Sequence, residues 1–186
     1  MNELQHYIHS YFCIGQEELE KVASLFETKF IEKNDFICSV DKKCNSLNFL
    51  ISGHMRVYKW QKEKEITQWI SSPGEFVTDL SSIVFNTHAR WNIQAISDCT
   101  IYSISKSNYD SLHTVVPSWD LLEKQFIAKC FLALEDRIFS FLSSSSKERY
   151  LEFCENKKHL FNEVPHHYIA SLLGMTPETL SRVRGK

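Results

Sequence analysis

Three groups of residues in this chain carry chemistry beyond packing: six cysteines, eight histidines and a cationic run that closes the sequence at Lys186. The cysteines, Cys13, Cys38, Cys44, Cys99, Cys130 and Cys154, include no C-x-x-C pair, so the sequence encodes neither a zinc site nor a compact disulfide framework. Buried, reduced thiols are the expectation. Cys38 and Cys44 flank a loop-like stretch, and a redox pair there is the minor alternative. The histidines show no metal-ligand spacing beyond the adjacent His166 and His167. No Ser-His-Asp order, phosphate loop or HExxH motif is present, and no enzymatic activity is expected.

The closing HHYIASLLGMTPETLSRVRGK offers a different chemistry. Pro165 suits a helix start, Gly174 suits the left-handed residue that ends it, and Thr176 followed by Pro177 suits the cap and first turn of a second helix. Ala170 lets the two helices cross closely, and Leu180 and Val183 point inward. This pattern predicts a helix-turn-helix whose second helix presents Glu178, Thr179, Ser181, Arg182 and Arg184. Arg can bridge guanine O6 and N7, and Glu can accept from cytosine N4, so Arg182 and Glu178 are the candidate base readers. Thr179, Ser181, Arg184 and Lys186 are candidate phosphate contacts, and His166 and His167 can touch the backbone at the start of the first helix. A plain helical hairpin is the alternative, disfavoured by the turn chemistry.

The whole chain of 186 residues carries a net charge of -2, so any attraction to DNA is local. Over residues 165–186, Arg182, Arg184 and Lys186 against Glu178 give +2 and leave -4 for the remainder. That footprint is modest, and useful affinity requires a dimer with two half-sites.

The elements that must position this ending follow from periodicity. Leu4, Tyr7, Ile8, Tyr11 and Phe12, then Leu19, Val22, Ala23, Leu25 and Phe26, recur at helical spacing and predict two short helices. From Phe30 to Ile104 short β-branched and aromatic runs such as NFLIS, RVYKW, ITQWI and TIYSI predict an antiparallel roll, with QKEKE as a hairpin tip. Trp119 to Leu142 has no strong breaker and predicts one long helix, apolar over too wide a girth for one partner. One partner is the roll; the second is expected to be the same helix of another copy, through Leu122, Phe126, Cys130, Leu134 and Ile138. Burial within its own chain is the alternative. Ser143 to Ser146 read as a hinge, with Ser145 and Glu148 forming a capping box. The expected fold class is α+β, with residues 1–117 a roll-type sensor domain, 118–142 a dimerisation helix and 143–186 a helix-turn-helix domain. A hydrophobic content of 43% supports a sizeable core. No apolar run reaches membrane-span length and the N-terminus lacks the pattern of a signal peptide, so the expected location is cytoplasmic, with no membrane partner.

FLISGHMRVY, PGEFVTDL and IASLLGMTPETLSRVR, in this order and spacing, make the chain resemble the cyclic-AMP receptor and FNR family (CRP/FNR) of bacterial transcription regulators over nearly its whole length. The resemblance implies a cupin-like, cyclic nucleotide-binding-type roll, a homodimer, a palindromic operator in double-stranded DNA, contact with RNA polymerase and a small-molecule effector. It places an effector pocket around Gly74, Glu75, Phe76, Thr78, Asp79, Arg90 and Leu134. The sequence departs from the nucleotide-binding members at that pocket. Thr78-Asp79 stands where they carry Gly-Glu, Ala89-Arg90 where they carry Arg-Ser, and Leu134-Glu135 where they carry Thr-Ser. A shift of one residue in a strand turns a side chain to the opposite face, so Arg90 is not expected to replace the phosphate-binding arginine. No cyclic nucleotide and no other cofactor is expected. The cysteine cluster of the iron-sulfur members is absent, and a winged hairpin after the recognition helix is absent or truncated. The expected function is sequence-specific transcription regulation. The competing expectation is a ligand-binding or protein-interaction module with a vestigial helix-turn-helix.

Overall fold

The computed structural model describes residues 1–185 and shows an α+β chain built from two antiparallel sheets, a long helix and a helical C-terminus. Helices α1 (Glu3–Phe12) and α2 (Gln16–Ala23) open it. The first is started by a capping box between Asn2 and Gln5 and buries Leu4, Ile8 and Phe12. Eight strands follow: β1 (Glu27–Ile31), β2 (Phe36–Cys38), β3 (Ser46–Ser52), β4 (Met55–Gln61), β5 (Lys64–Ser71), β6 (Phe76–Val77), β7 (Asn92–Ala95) and β8 (Cys99–Ser105). They pair in the orders β1-β8-β3-β6 and β2-β7-β4-β5. The tip of the β4–β5 hairpin falls within the charged QKEKE segment, where Lys62 takes a left-handed φ of 54°.

Helix α3 (Leu80–Phe85) interrupts the strands between β6 and β7, and α4 (Lys106–Val115) follows β8. Both are absent from the sequence expectation, because α3 spans less than two turns and α4 has a weakly apolar face. Helix α5 (Trp119–Ser143) then runs for 25 residues. Ser144 and Ser145 separate it from α6 (Ser146–Lys157), and α7 (Leu160–Glu163), α8 (His166–Leu172) and α9 (Pro177–Arg184) complete the chain. The capping box at Ser145 and Glu148 is formed, with Ser145 N–H donating to Glu148 Oε2 at 2.7 Å.

The girth of α5 is divided along its length. Its first half packs on α1 and the roll: Phe126 is 0% exposed, with its ring 4.7 Å from that of Phe12 and 4.8 Å from that of Phe76, while Trp119 lies 4.9 Å from Phe12. Leu122 and Cys130 pack against the same core. Phe126 therefore cannot face a second copy, and Leu122 and Cys130 are half-buried by their own chain. This corrects the expected single stripe, because the aromatic side chains of α1 and β6 cover the N-terminal half of the helix. Leu134 and Ile138 remain exposed, together with Phe131, Leu132, Phe139 and Leu142.

A third core cluster joins the C-terminal helices to the roll. Ile70 of β5 and Ile96 pack with Phe153, Leu160, Val164, Ile169, Leu172 and Leu180. Helix α8 thus rests directly on β5.

Candidate nucleic-acid interface and effector region

The turn between α8 and α9 is closed by local bonds. Gly174 has φ +64°, Met175 N–H donates to Ala170 O at 3.0 Å and Gly174 N–H donates to Ser171 O at 3.0 Å, the paired bonds of a Schellman motif. A Cβ at Gly174 would lie 2.4 Å from Cε1 of Phe141, so α5 also requires glycine there. Thr176 caps α9, its Oγ1 accepting from Thr179 N–H at 3.3 Å, and Pro177 occupies the first turn. Leu180 is buried and Val183 half-buried, which aims the opposite side of α9 outward.

Glu178, Ser181, Arg182 and Arg184 are exposed on that side. A hydrogen bond from the Thr176 side chain holds the Glu178 carboxyl below the usual carboxylate range. Thr179 is half-buried and its hydroxyl lies 3.3 Å from that of Thr176, so it is drawn into the cap and away from the outer face. Arg184 and His166, expected to act separately, meet: the guanidinium lies 3.1 Å from His166 Nδ1 and 4.9 Å from the centre of the Phe161 ring. Lys186 lies outside the described residues.

The residues expected around an effector do not converge. Gly74 adopts φ +88° in a turn where Glu75 N–H donates to Ser72 O. Glu75 accepts from Trp69 Nε1 at 3.1 Å and pairs with Lys157 Nζ at 2.8 Å, which makes it an anchor for α6. Phe76 packs against Phe126. Thr78 donates to Ser46 O at 2.8 Å. Leu134 lies far along α5, lining an open cleft of about 360 Å³ with Gln68, Arg137, Ile138, Phe141 and Leu142.

Asp79 has the most complete environment of the set. Its Oδ1 caps α3, accepting from Ser82 N–H at 3.0 Å and the Ser81 hydroxyl at 2.5 Å. Its Oδ2 accepts from the N–H groups of Arg90 at 2.7 Å and Trp91 at 3.2 Å. The carboxylate is buried and consumes four donors, while the Arg90 side chain is exposed and Ala89 is buried. A cyclic nucleotide brings a phosphate that needs free donors and a cation. Here the donors already serve an internal anion and the cation points away, so these residues do not fit that ligand.

Sequence reasoning missed the contacts that join the two ends of the molecule. Arg56 of β4 is 1% exposed, lies 3.8 Å from the ring centres of both Tyr58 and Tyr168, and donates to Glu65 at 2.6 Å and Gln94 at 3.1 Å. Ser171 Oγ accepts from Thr67 N–H at 2.9 Å and donates to Glu65 O at 3.3 Å. His54 Nε2 lies 2.5 Å from Glu163 Oε2. Arg149 and Arg137 donate to the carbonyls of Leu173 and Leu172. The available signal was an arginine within a strand of otherwise buried type, because a buried guanidinium requires partners.

Residues 28–114 match the family model of the cyclic nucleotide-binding domain. The chain is similar in fold to FixK2 from Bradyrhizobium japonicum, with a TM-score of 0.72 and 16% identity over 86% of this chain and 83% of that one. The c-di-GMP responsive global regulator CLP of Xanthomonas campestris gives a TM-score of 0.68 at 14% identity, covering 92% and 90%. The catabolite activator protein of Thermus thermophilus gives 0.60 at 20% identity, covering 96% and 84%. No curated protein sequence matches at a significant level. Residues 28–114 therefore form a cyclic nucleotide-binding-type roll, and the chain shares the overall fold of these solved structures. Among the described residues no helix is long and apolar enough to cross a membrane.

Proposed function

We propose that this chain is a sequence-reading transcription regulator that binds DNA as a dimer, with its roll (residues 1–117) biasing the position of the helix-turn-helix domain (143–186) across the helix of residues 118–142. The observation that carries the reading is the outer face of α9, where Arg182 and Glu178 stand exposed on a helix fixed by a Schellman turn and a threonine cap. In the major groove Arg182 would bridge guanine O6 and N7 and Glu178 would accept from cytosine N4, with Ser181 and Arg184 on phosphates.

The exposed apolar stripe of α5, from Phe131 and Leu132 to Ile138 and Leu142, supports pairing with a second copy, since so large an apolar surface is unfavourable in water. The contacts of α8 with β5 support the coupling. Any signal that favours a different arrangement of β4 and β5 must break or move the Arg56–Tyr168 and Thr67–Ser171 contacts, and that changes the spacing of two recognition helices in a dimer.

The test is selection of binding sites from random duplexes by the purified protein, followed by affinity for the winner and a scramble at two salt concentrations. An enriched two-fold symmetric site held well above the scramble is expected. No enrichment would overturn the reading. Ile138→Glu is expected to give monomers by sedimentation and lose that site, and an unchanged dimer would place the seam elsewhere.

A further inference from the structure

Helix α5, strand β5 and the end of α8 meet around one side chain, Arg137. Its guanidinium donates to Leu172 O at the C-terminus of α8 at 2.5 Å and lies 5.1 Å from the centre of the Phe141 ring and 5.9 Å from that of Trp69. Arg137 and Arg56 are both withdrawn from water, yet their charges are met differently. Arg56 pairs with Glu65 at 2.6 Å. Among the described residues no carboxylate pairs with Arg137, and its neighbours Glu135 and Asp136 are exposed. Burial lowers the Arg137 guanidinium from its usual value, and the partial negative charge at the end of α8 is a weak substitute for a counter-ion. The Leu172 carbonyl occupies one of its five N–H donors.

This unpaired cation borders the open cleft of about 360 Å³, whose other lining residues are Gln68, Leu134, Ile138, Phe141 and Leu142. Gln68 is the second polar side chain of the lining, and the remaining four present apolar surface. The volume falls in the range of about 300–1,000 Å³ that small-molecule sites occupy. Phe131, Leu132 and Phe139 stand outside the lining, so the exposed stripe of α5 keeps surface for a second copy while the flank toward β5 stays open.

We propose that the cleft between β5 and α5 binds an amphipathic carboxylate, its anionic head on Arg137 and its aliphatic chain against Leu134, Ile138, Phe141 and Leu142. Charge and surface together select this class. A small inorganic anion leaves the apolar walls in water, and an uncharged hydrocarbon leaves the half-buried guanidinium without a counter-ion. The same guanidinium holds the C-terminal carbonyl of α8, and the Phe141 ring fills the space beside Gly174. A ligand in the cleft therefore touches the roll, the long helix and two side chains that support the turn of the helix-turn-helix.

This site goes beyond the regulator reading and does not depend on DNA. The test titrates the full chain by calorimetry with sodium octanoate below its micelle concentration, beside octanol and sodium acetate. One saturable octanoate site per chain is expected, with octanol and acetate each weaker by about tenfold or more. Arg137→Gln is expected to weaken octanoate by about tenfold and to erase its preference over octanol. Leu134→Trp, which fills the cleft and leaves Arg137 in place, is expected to abolish binding with melting temperature and sedimentation unchanged. Octanol binding as tightly as octanoate, or octanoate affinity unaltered in Leu134→Trp, would overturn the proposal. Absence of saturable octanoate binding overturns it as well, and a Leu134→Trp chain that then sediments as a monomer assigns the cleft to a second copy. Leu134→Trp and the octanol comparison decide the question even where Arg137→Gln fails to fold.

Discussion

The helix-turn-helix and the segment from Gly74 to Trp91 both place polar groups beside a short helix, and they use them in opposite ways. On α9, Glu178, Ser181 and Arg182 face solvent, while the turn beneath is completed by backbone bonds and one glycine. In the roll segment, Asp79 spends both oxygens on Ser81, Ser82, Arg90 and Trp91, and Thr78 spends its hydroxyl on Ser46. The first arrangement leaves its polar groups available to a ligand; the second satisfies them internally. A shared backbone fold therefore does not transmit a binding site, because the site depends on whether the polar groups have spare valence.

The sharpest way to break this contrast is to remove the internal anion. Asp79→Ala orphans three backbone N–H groups in a buried setting and is expected to cost about 3–5 kcal/mol in urea unfolding. A cost near zero would show that water satisfies those amides and that the segment is open after all. Gly174→Ala acts on the other region, where a left-handed φ and the Phe141 ring both oppose a Cβ. It is expected to cost about 2–3 kcal/mol of stability and to weaken selective DNA binding in proportion.

Arg182→Ala sharpens the comparison without disturbing the fold. It is expected to cost about 1–3 kcal/mol of operator affinity and to relax preference at one position per half-site, with melting temperature unchanged. Equal weakening on every sequence would make Arg182 a phosphate contact. The smallest effect belongs to the hinge between the regions. The Ser145 backbone N–H and then its hydroxyl stabilise ionised Glu148, so the folded carboxyl titrates below its unfolded value. The contribution of the box is present above the unfolded carboxylate pKa and lost as pH falls through the folded one. Glu148→Gln should flatten a small part of the acid limb of stability against pH.

Legibility differed between these regions for a physical reason. The α8–α9 turn was readable because Gly174, Thr176 and Pro177 act within a few residues of themselves, and the long helix because no breaker divides Trp119 from Leu142. The roll segment was readable only as a departure from a pattern. The partners of Asp79 at Arg90 and Trp91 lie beyond a helix and a loop, and neither their amides nor the outward direction of Arg90 is written in residue type. The α5 stripe misled in one half, since periodicity counts apolar residues without stating which surface covers them, and Phe126 went to Phe12 and Phe76. Arg184 and His166 were each visible as cationic or ring-bearing residues, but their meeting over Phe161 required α7, α8 and α9 to be packed.

By itself the sequence determined the α+β character, the main strand runs, the long helix, the Ser145 box and the helix-turn-helix, because caps, breakers and periodicities are local interactions. Only the tertiary structure decided that Asp79 closes its own donors, that Arg56 lies between Tyr58 and Tyr168 and that α8 rests on β5. Those outcomes join residues far apart in the chain or in different elements, and their energies come from burial and desolvation, which exist only once distant surfaces have met.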